Sequence, residues 1–109
     1  MTVNDIVKKL NLDVLADMNN AESDVTGCFA GDLLSLAMSS VNKGNVWITV
    51  QTNLNILAIA SLTEASCIII ANSMNVSDAV IEKAKEEDIC LLRSDKSIYE
   101  LCNVIGDII

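Results

Sequence analysis

The residues with the most chemistry in them are four cysteines, Cys28, Cys67, Cys90 and Cys102, and the carboxylates Asp32 and Asp95. A cysteine works as nucleophile or metal ligand through its thiolate, which forms near neutral pH only beside a base or a cation. The sequence contains no histidine, so the usual general base and the commonest metal ligand are both missing. No two cysteines stand in a C-x-x-C pair, which removes the spacing that zinc and thioredoxin-like sites need. Cys67 and Cys90 sit inside the apolar runs SCIIIA and ICLLR, where a free thiol behaves as a small buried apolar group. The expectation is four free thiols, no metal and no cofactor. Asp32 and Asp95 make an acid–base pair only if the fold joins them, and nothing in their spacing requires that. Neither a G-x-G-x-x-G turn nor a P-loop occurs. A phosphoacceptor domain ends its third strand on aspartate, whereas VWITVQT ends on Gln-Thr. The chain reads as a protein without an active site of its own, and not as an enzyme.

Such residues act only where the chain's elements place them, and the apolar pattern sets those elements. VWITV (46–50), CIIIA (67–71) and ICLLR (89–93) are short aliphatic runs, each followed by a helical pattern, at 53–63, 78–88 and 96–108. Unbroken apolar runs mark strands covered on both faces, as in a parallel sheet. Strand–helix–strand alternation with short links makes right-handed βαβ units. Thr2 opens a first helix over 3–10, with Asp5 in capping-box position. LDVLAD (12–17) is a strand, MNNAES (18–23) a turn and VTGCFAG (25–31) a second strand. DLLSLAMSSV (32–41) continues as a helix with Leu33, Leu34, Ala37 and Val41 on one face, and Gly44 is read as its stop. With no proline, linker or low-complexity stretch, residues 1–109 form one compact α/β domain. Its sheet is mainly parallel, built from repeated βαβ units, with helices on both faces.

Three strand ends coincide in that arrangement. Gln51-Thr52-Asn53, Asn72-Ser73 and Arg93-Ser94-Asp95 fall at the carboxyl edge of the sheet, where open α/β sheets bind ligands. Gly31, Asp32 and Ser35 reach the same edge after the second strand. The candidate ligand-binding residues are therefore Gly31, Asp32, Ser35, Gln51, Thr52, Asn53, Asn72, Ser73 and Arg93, of which Asp32, Gln51, Thr52, Asn53, Asn72 and Ser73 are expected to line the main polar depression. Arg93 is the cation at hand for an anion held on helix N-termini. The competing use of Asn53, Ser77 and Ser94 or Asp95 is to cap the helices that come next.

Composition excludes other classes. The chain has 7 Lys and Arg against 15 Asp and Glu, a net charge of −8, which opposes nucleic-acid binding. The uncharged run from Gly44 to Thr63 is as long as a bilayer span. Gln51, Thr52, Asn53 and Asn55 fall in its middle, where lipid tolerates them least, so no membrane association is expected. The polar start MTVNDIVKKLN is no export signal. With free thiols, it points to the cytoplasm.

The helical stretch NLNILAIASLT (53–63) is apolar almost all round, with Leu54, Leu57, Ala58 and Leu62 on one side and Ile56, Ile59 and Ala60 on the other. A helix on a sheet needs one apolar stripe, and a second one left wet is a patch that monomers seldom keep. A homodimer contact through Leu54, Ile56, Ile59, Ala60 and Thr63 is the expectation, and cover by the helix at 3–10 the alternative.

The segment Asp24-Val25-Thr26-Gly27-Cys28 resembles the motif that names the DRTGG domain family. AGDLLS, GNVWITVQTNLNILAIASLTEASCIIIAN and AKEEDICLLRSD then appear in the order of that domain, so the similarity runs from about Asp5 to Ile105. Val25 stands where the motif has arginine, and Cys28 where it has its last glycine. No role of the arginine carries over, and a backbone shape open only to glycine would be strained at Cys28. The resemblance implies a non-catalytic α/β domain related to the amino-terminal domain of HPr kinase. In relatives it is attached to phosphotransacetylases, lies between the CBS domains of manganese-dependent inorganic pyrophosphatases, or stands alone as small proteins of anaerobes. In the pyrophosphatases it contributes to dimer contacts while nucleotide binding belongs to the CBS domains, so the resemblance brings no nucleotide sensing to this chain. The expected role is that of a regulatory or interaction domain acting by homodimerisation and by docking to a partner protein of unknown identity. The second class is a sensor of a small molecule, an anionic metabolite or nucleotide, at the carboxyl edge of the sheet.

Overall fold

Strands β3 (Asn45–Thr49) and β4 (Cys67–Ile70) are buried at every residue. The architecture of the computed structural model, which covers residues 1–109, is the packing that keeps both of their faces dry. The five strands are ordered β1-β5-β4-β3-β2. β2 (Gly27–Ala30), β3, β4 and β5 (Leu91–Arg93) are mutually parallel. β1 (Asp13–Ala16) closes one edge antiparallel to β5, with an irregular register between Val14 and Ala16.

Each parallel strand lies beside the one before it in a constant direction. Right-handed crossovers then put α2 (Leu34–Ser40), α3 (Asn55–Thr63) and α4 (Asp78–Glu86) on the same face. The side chains sort accordingly. Trp47, Ile68, Ile70 and Leu91 point to that face and pack with Ala37, Ile56, Leu57, Ile59, Ala60, Val80 and Ala84. Val46, Ile48, Cys67, Ile69 and Leu92 point the other way, against Val3, Ile6 and Leu10 of α1 (Val3–Leu10) and Leu101 and Ile105 of α5 (Ile98–Ile108). No helix is long and apolar enough to cross a membrane.

Capping boxes start α1 (Thr2 with Asp5) and α5 (Ser97 with Glu100), and Ser77 caps α4. The boxes hold the Asp5 and Glu100 carboxyls below the usual range, through the backbone N–H of Thr2 and of Ser97 respectively. Ser94 and Asp95 are therefore not the cap of α5; Ser94 Oγ instead accepts the Lys96 N–H at 3.1 Å. α2 starts after Leu33 with no side-chain cap. Leu33 is 65% exposed, so it does not share the buried face of Ala37 and Val41.

Three helices stop alike. Asn11 (φ 51°), Glu64 (φ 58°) and Asp88 (φ 56°) take the left-handed conformation. The next residue then donates backwards: Leu12 N–H to Val7 O at 3.0 Å, Ala65 N–H to Ala60 O at 3.1 Å and Ile89 N–H to Ala84 O at 2.9 Å. Glycine, asparagine and, less often, aspartate suit that stop, whereas glutamate adopts it against its preference. Gly44 (φ 83°) is not the stop of α2, whose C-cap is Val41. It belongs to the turn into β3, closed by Asn45 N–H on Asn42 O at 3.0 Å. A β-carbon on Gly44 would lie 2.7 Å from Thr26 Cγ2. Gly44→Ala is expected to lower unfolding free energy by about 2 kcal/mol or more, from the left-handed backbone and the overlap together. Glu64→Gly is expected to raise it by roughly 0.5–1 kcal/mol. Urea unfolding checks both.

Candidate functional site

Gly31, Asp32, Gln51, Thr52, Asn53, Asn72 and Ser73 do fall at the carboxyl ends of β2, β3 and β4, but the edge they form is closed by its own hydrogen bonds. Asp32 Oδ1 accepts the Thr49 hydroxyl and the Val50 N–H, each at 2.8 Å, and Thr49 Oγ1 accepts the Gln51 N–H at 3.0 Å. Asn53 Oδ1 accepts the Asn55 N–H at 2.8 Å. Asn72 (φ 60°) and Ser73 (φ 51°) turn through the left-handed region and donate to Lys96 O at 2.9 Å and Ser94 O at 2.8 Å. Arg93 Nε lies 3.7 Å from Asp13 Oδ2, its register partner on β1, and Ser35 is exposed at the start of α2. Asp32 comes after β2 and Asp95 after β5, three strand spacings or about 14 Å apart, so they do not form an acid–base pair.

The expectation that these residues line the main depression is corrected by the groove's position. A groove of about 840 Å³ opens at the opposite, amino edge. Its walls are the segment after β1 (Asp17, Asn20, Ser23, Asp24, Thr26), the turn into β3 (Lys43, Gly44), the end of α3 (Ala60, Ser61, Glu64, Ala65, Ser66) and the turn into β5 (Glu87, Asp88, Ile89, Cys90). The carboxyl-edge links fold onto their own hydrogen bonds. Asp17, Asp24, Glu64, Glu87 and Asp88 face this groove with Lys43 as the cation among them. Reading for ligand-binding edges overlooked it. Its sequence signal is the acidic residues in the turns that precede β2, β4 and β5: Asp24, Glu64, and Glu87 with Asp88.

The groove wall explains the DRTGG-like segment. Thr26 Oγ1 donates to Lys43 O at 2.7 Å and accepts Asn45 Nδ2 at 3.2 Å. Asn45 is buried; its Oδ1 accepts the Asn42 N–H at 3.0 Å, and its carbonyl accepts the Ser66 N–H and hydroxyl at 2.8 and 3.0 Å. A β-carbon on Gly27 would meet Asn45 Nδ2 at 3.1 Å, so glycine lets β2 come this close. Val25 packs against the α1/α5 core. Cys28 lies in regular β2 and takes no left-handed φ, so cysteine replaces the motif's last glycine without strain.

The thiols of Cys28, Cys67 and Cys90 are held protonated. Burial pushes Cys67 far up and Cys90 up to about 12, with Asp17 adding to Cys90. Cys28, exposed as a residue, still has its sulfur shielded enough to be pushed up to about 11, with Cys102 adding. A nucleophilic thiol needs the reverse shift.

Helix α3 shows a different surface from the expected one. Ile56, Ile59 and Ala60 lie in the chain's own core together with Leu57, so none of the three is free for a dimer contact. Thr63 Oγ1 is turned back onto Ile59 O at 2.8 Å. The wet side is Leu54 (48% exposed) and Leu62 (71%), with exposed Ala58 between them. The neighbour of α3 is α2, not α1, which lies on the other face. α2 adds Leu36 (50%) and Met38 (42%) beside Leu33.

The family model described as the HPr serine kinase N terminus matches residues 50–109. Among solved structures, the CBS and DRTGG domains of the regulatory region of Clostridium perfringens pyrophosphatase, complexed with the activator diadenosine tetraphosphate, align with a TM-score of 0.73 and 14% identity over 95% of this chain. The chain spans 45% of that structure's length, and the likeness is one of fold. No curated protein matches the chain.

This geometry sets two measurable outcomes. Asp32→Ala removes the acceptor of two hydrogen bonds and is expected to cost about 1–3 kcal/mol of stability, seen as a lower urea midpoint. Alkali is expected to destabilise the fold. Unfolded thiols ionise near pH 8.5, while Cys67 and Cys90 keep their protons in the folded state. The unfolded chain then binds fewer protons, so this contribution is intact below that pH and is lost as pH rises. The fall is about 1.4 kcal/mol per pH unit for each buried thiol. Urea unfolding at a series of pH values, with Cys67→Ala for comparison, measures the slope.

Proposed function

The chain belongs to the family of the HPr serine kinase N terminus, and from that premise we propose that it is a non-catalytic regulatory domain acting by self-association and by docking to a partner protein. The observation that carries this reading is the exposed apolar surface of α2 and α3, where Leu33, Leu36, Met38, Leu54 and Leu62 are all at least 42% exposed. Five large apolar side chains on two neighbouring helices hold water at a cost that another protein surface removes. The rest of the molecule supports it: the Cys28, Cys67 and Cys90 thiols stay protonated, histidine is missing, and the carboxyl edge spends its polar groups on itself. The fold-sharing neighbour comes from the regulatory region of its enzyme. The setting on this reading is the cytoplasm, where such thiols stay reduced.

The second reading, a small-molecule sensor, has one observation in its favour: the amino-edge groove has the volume of a ligand site. Its five carboxylates repel the anionic metabolites and nucleotides that such a sensor was expected to bind. Thermal melting with diadenosine tetraphosphate, ATP, acetyl phosphate and organic acids separates the two. A ligand at about 100 times its Kd adds about 2.7 kcal/mol, which is a rise of roughly 10 °C or more for a domain this size. The interaction reading expects no saturable rise with any of them, and one such rise replaces it with the sensor.

A further inference from the structure

Cys67, Cys90 and Met18 bring three sulfurs together on the α1/α5 side of the sheet, and we propose that they bind Cu(I), a soft monovalent cation. Cys90 Sγ lies 3.9 Å from Met18 Sδ. Cys67 opens β4 and Cys90 stands just before β5. The Ile68 N–H donates to Cys90 O at 2.9 Å and Ile68 pairs with Leu91, which sets the two cysteines side by side. Neighbouring strands are about 4.8 Å apart, and both thiols belong to the α1/α5 core, against which Met18 packs. The segment that carries Met18 is tied to the turn before Cys90. Asp17 turns through the left-handed region (φ 60°) and accepts the Asn19 N–H at 2.8 Å, while Asn19 Nδ2 donates to Asp88 Oδ1 at 3.2 Å.

The donor set selects the ion. Thiolate and thioether sulfurs are soft ligands that favour Cu(I). Metal–sulfur bonds of about 2.3 Å put trigonal ligands about 4 Å apart, which is the spacing Cys90 and Met18 already have. No third cysteine or carboxylate joins the pair to make the four-ligand set of a zinc site. Protonation of the free thiols does not oppose the ion, because a coordinated thiol gives up its proton. Two S–H bonds break, two S–Cu bonds form and both protons leave to water. The Met18 thioether donates a lone pair, and no atom changes oxidation state. Burial that makes a bare thiolate costly strengthens its attraction to a cation. The way in is the amino-edge groove: Cys90 lines it, 8% exposed, and five carboxylates on its walls concentrate cations there. Spacing in the sequence hides the set, because its sulfurs come from three separate segments.

The test is anaerobic titration of the reduced full chain with Cu(I), in competition with a chromophoric Cu(I) chelator, following the ultraviolet thiolate-to-copper band. Wild type is expected to saturate at one ion per chain. Cys90→Ala is expected to lose affinity by about 100-fold or more, beyond the range of an outer-shell change. Met18→Leu, which conserves core volume, is expected to weaken binding about 10-fold while the band remains. Cys28→Ser with Cys102→Ser, on β2 and α5, is expected to leave the ion in place. Circular dichroism of the metal-free proteins checks folding, and Met18→Leu decides the matter if Cys90→Ala does not fold. The proposal is overturned by a wild type that takes up no stoichiometric ion. It is equally overturned by binding at full strength in folded Cys90→Ala or in Met18→Leu, or by loss of the ion in the Cys28 and Cys102 double variant.

Discussion

Everything in this molecule answers to two strands that can touch no water. β3 and β4 are buried at every position, so each side chain along them needs a helix above or below. Fully burying an aliphatic side chain contributes about 1.5–3 kcal/mol, and Ile48, Ile68, Ile69 and Ile70 are each fully buried. Strand order adds the second condition. Three crossovers in one direction put α2, α3 and α4 on one face, leaving α1 and α5 to dry the other. α3, between β3 and β4 in sequence, packs Ile56, Leu57, Ile59 and Ala60 inward, and its remaining stripe of Leu54, Ala58 and Leu62 looks outward. The exposed apolar face is what remains once the sheet has been covered.

The same burial makes the amino edge demanding. Asn45 opens β3 as a buried amide, and an unpaired polar group there would cost about 1–3 kcal/mol. Thr26 and Asn42 satisfy it and Ser66 donates to the Asn45 main-chain carbonyl, which fixes the spacing between β2, the α2–β3 turn and β4. Around this knot a β-carbon would overlap Thr26 at Gly44 and crowd the Asn45 amide at Gly27. The DRTGG-like segment is therefore architectural at Thr26 and Gly27, and only its Asp24 faces open space in the groove alongside Thr26.

Features that depend on local pattern were legible in the sequence. The unbroken runs at 46–50, 67–71 and 89–93 gave β3, β4 and β5, the Thr2/Asp5 pair gave the start of α1, and Ser77 gave the start of α4. Features that depend on a neighbour were not. A helix apolar on every side has no preferred phase, so the wheel could not tell that Ile56 and Ile59 face the sheet and Leu62 the solvent. The antiparallel direction of β1 comes from the route of the chain around the sheet, not from LDVLA. Glu64 stops α3 in a conformation its type disfavours, so no residue announced that stop or the groove beside it. The carboxyl-edge residues were placed at the right edge and given the wrong work. Asx and hydroxyl side chains that suit a ligand suit an unpaired N–H equally well, and the N–H was nearer.

That substitution of internal for external partners bears on how the domain works. In open α/β sheets a ligand at the carboxyl edge shares the backbone donors and cap side chains that the strand ends leave unpaired. Here Asp32 is committed to Thr49 and Val50, Asn53 to its own turn, and Arg93 to Asp13 on the antiparallel edge strand. A ligand would have to break these bonds before making its own, whereas the α2–α3 face gives up only water. The charges are arranged to the same end. Carboxylates gather at the amino-edge groove and along α4, and α2 and α3 carry none. An apolar face without carboxylates meets another protein surface with no buried charge to desolvate and no like charge to oppose it.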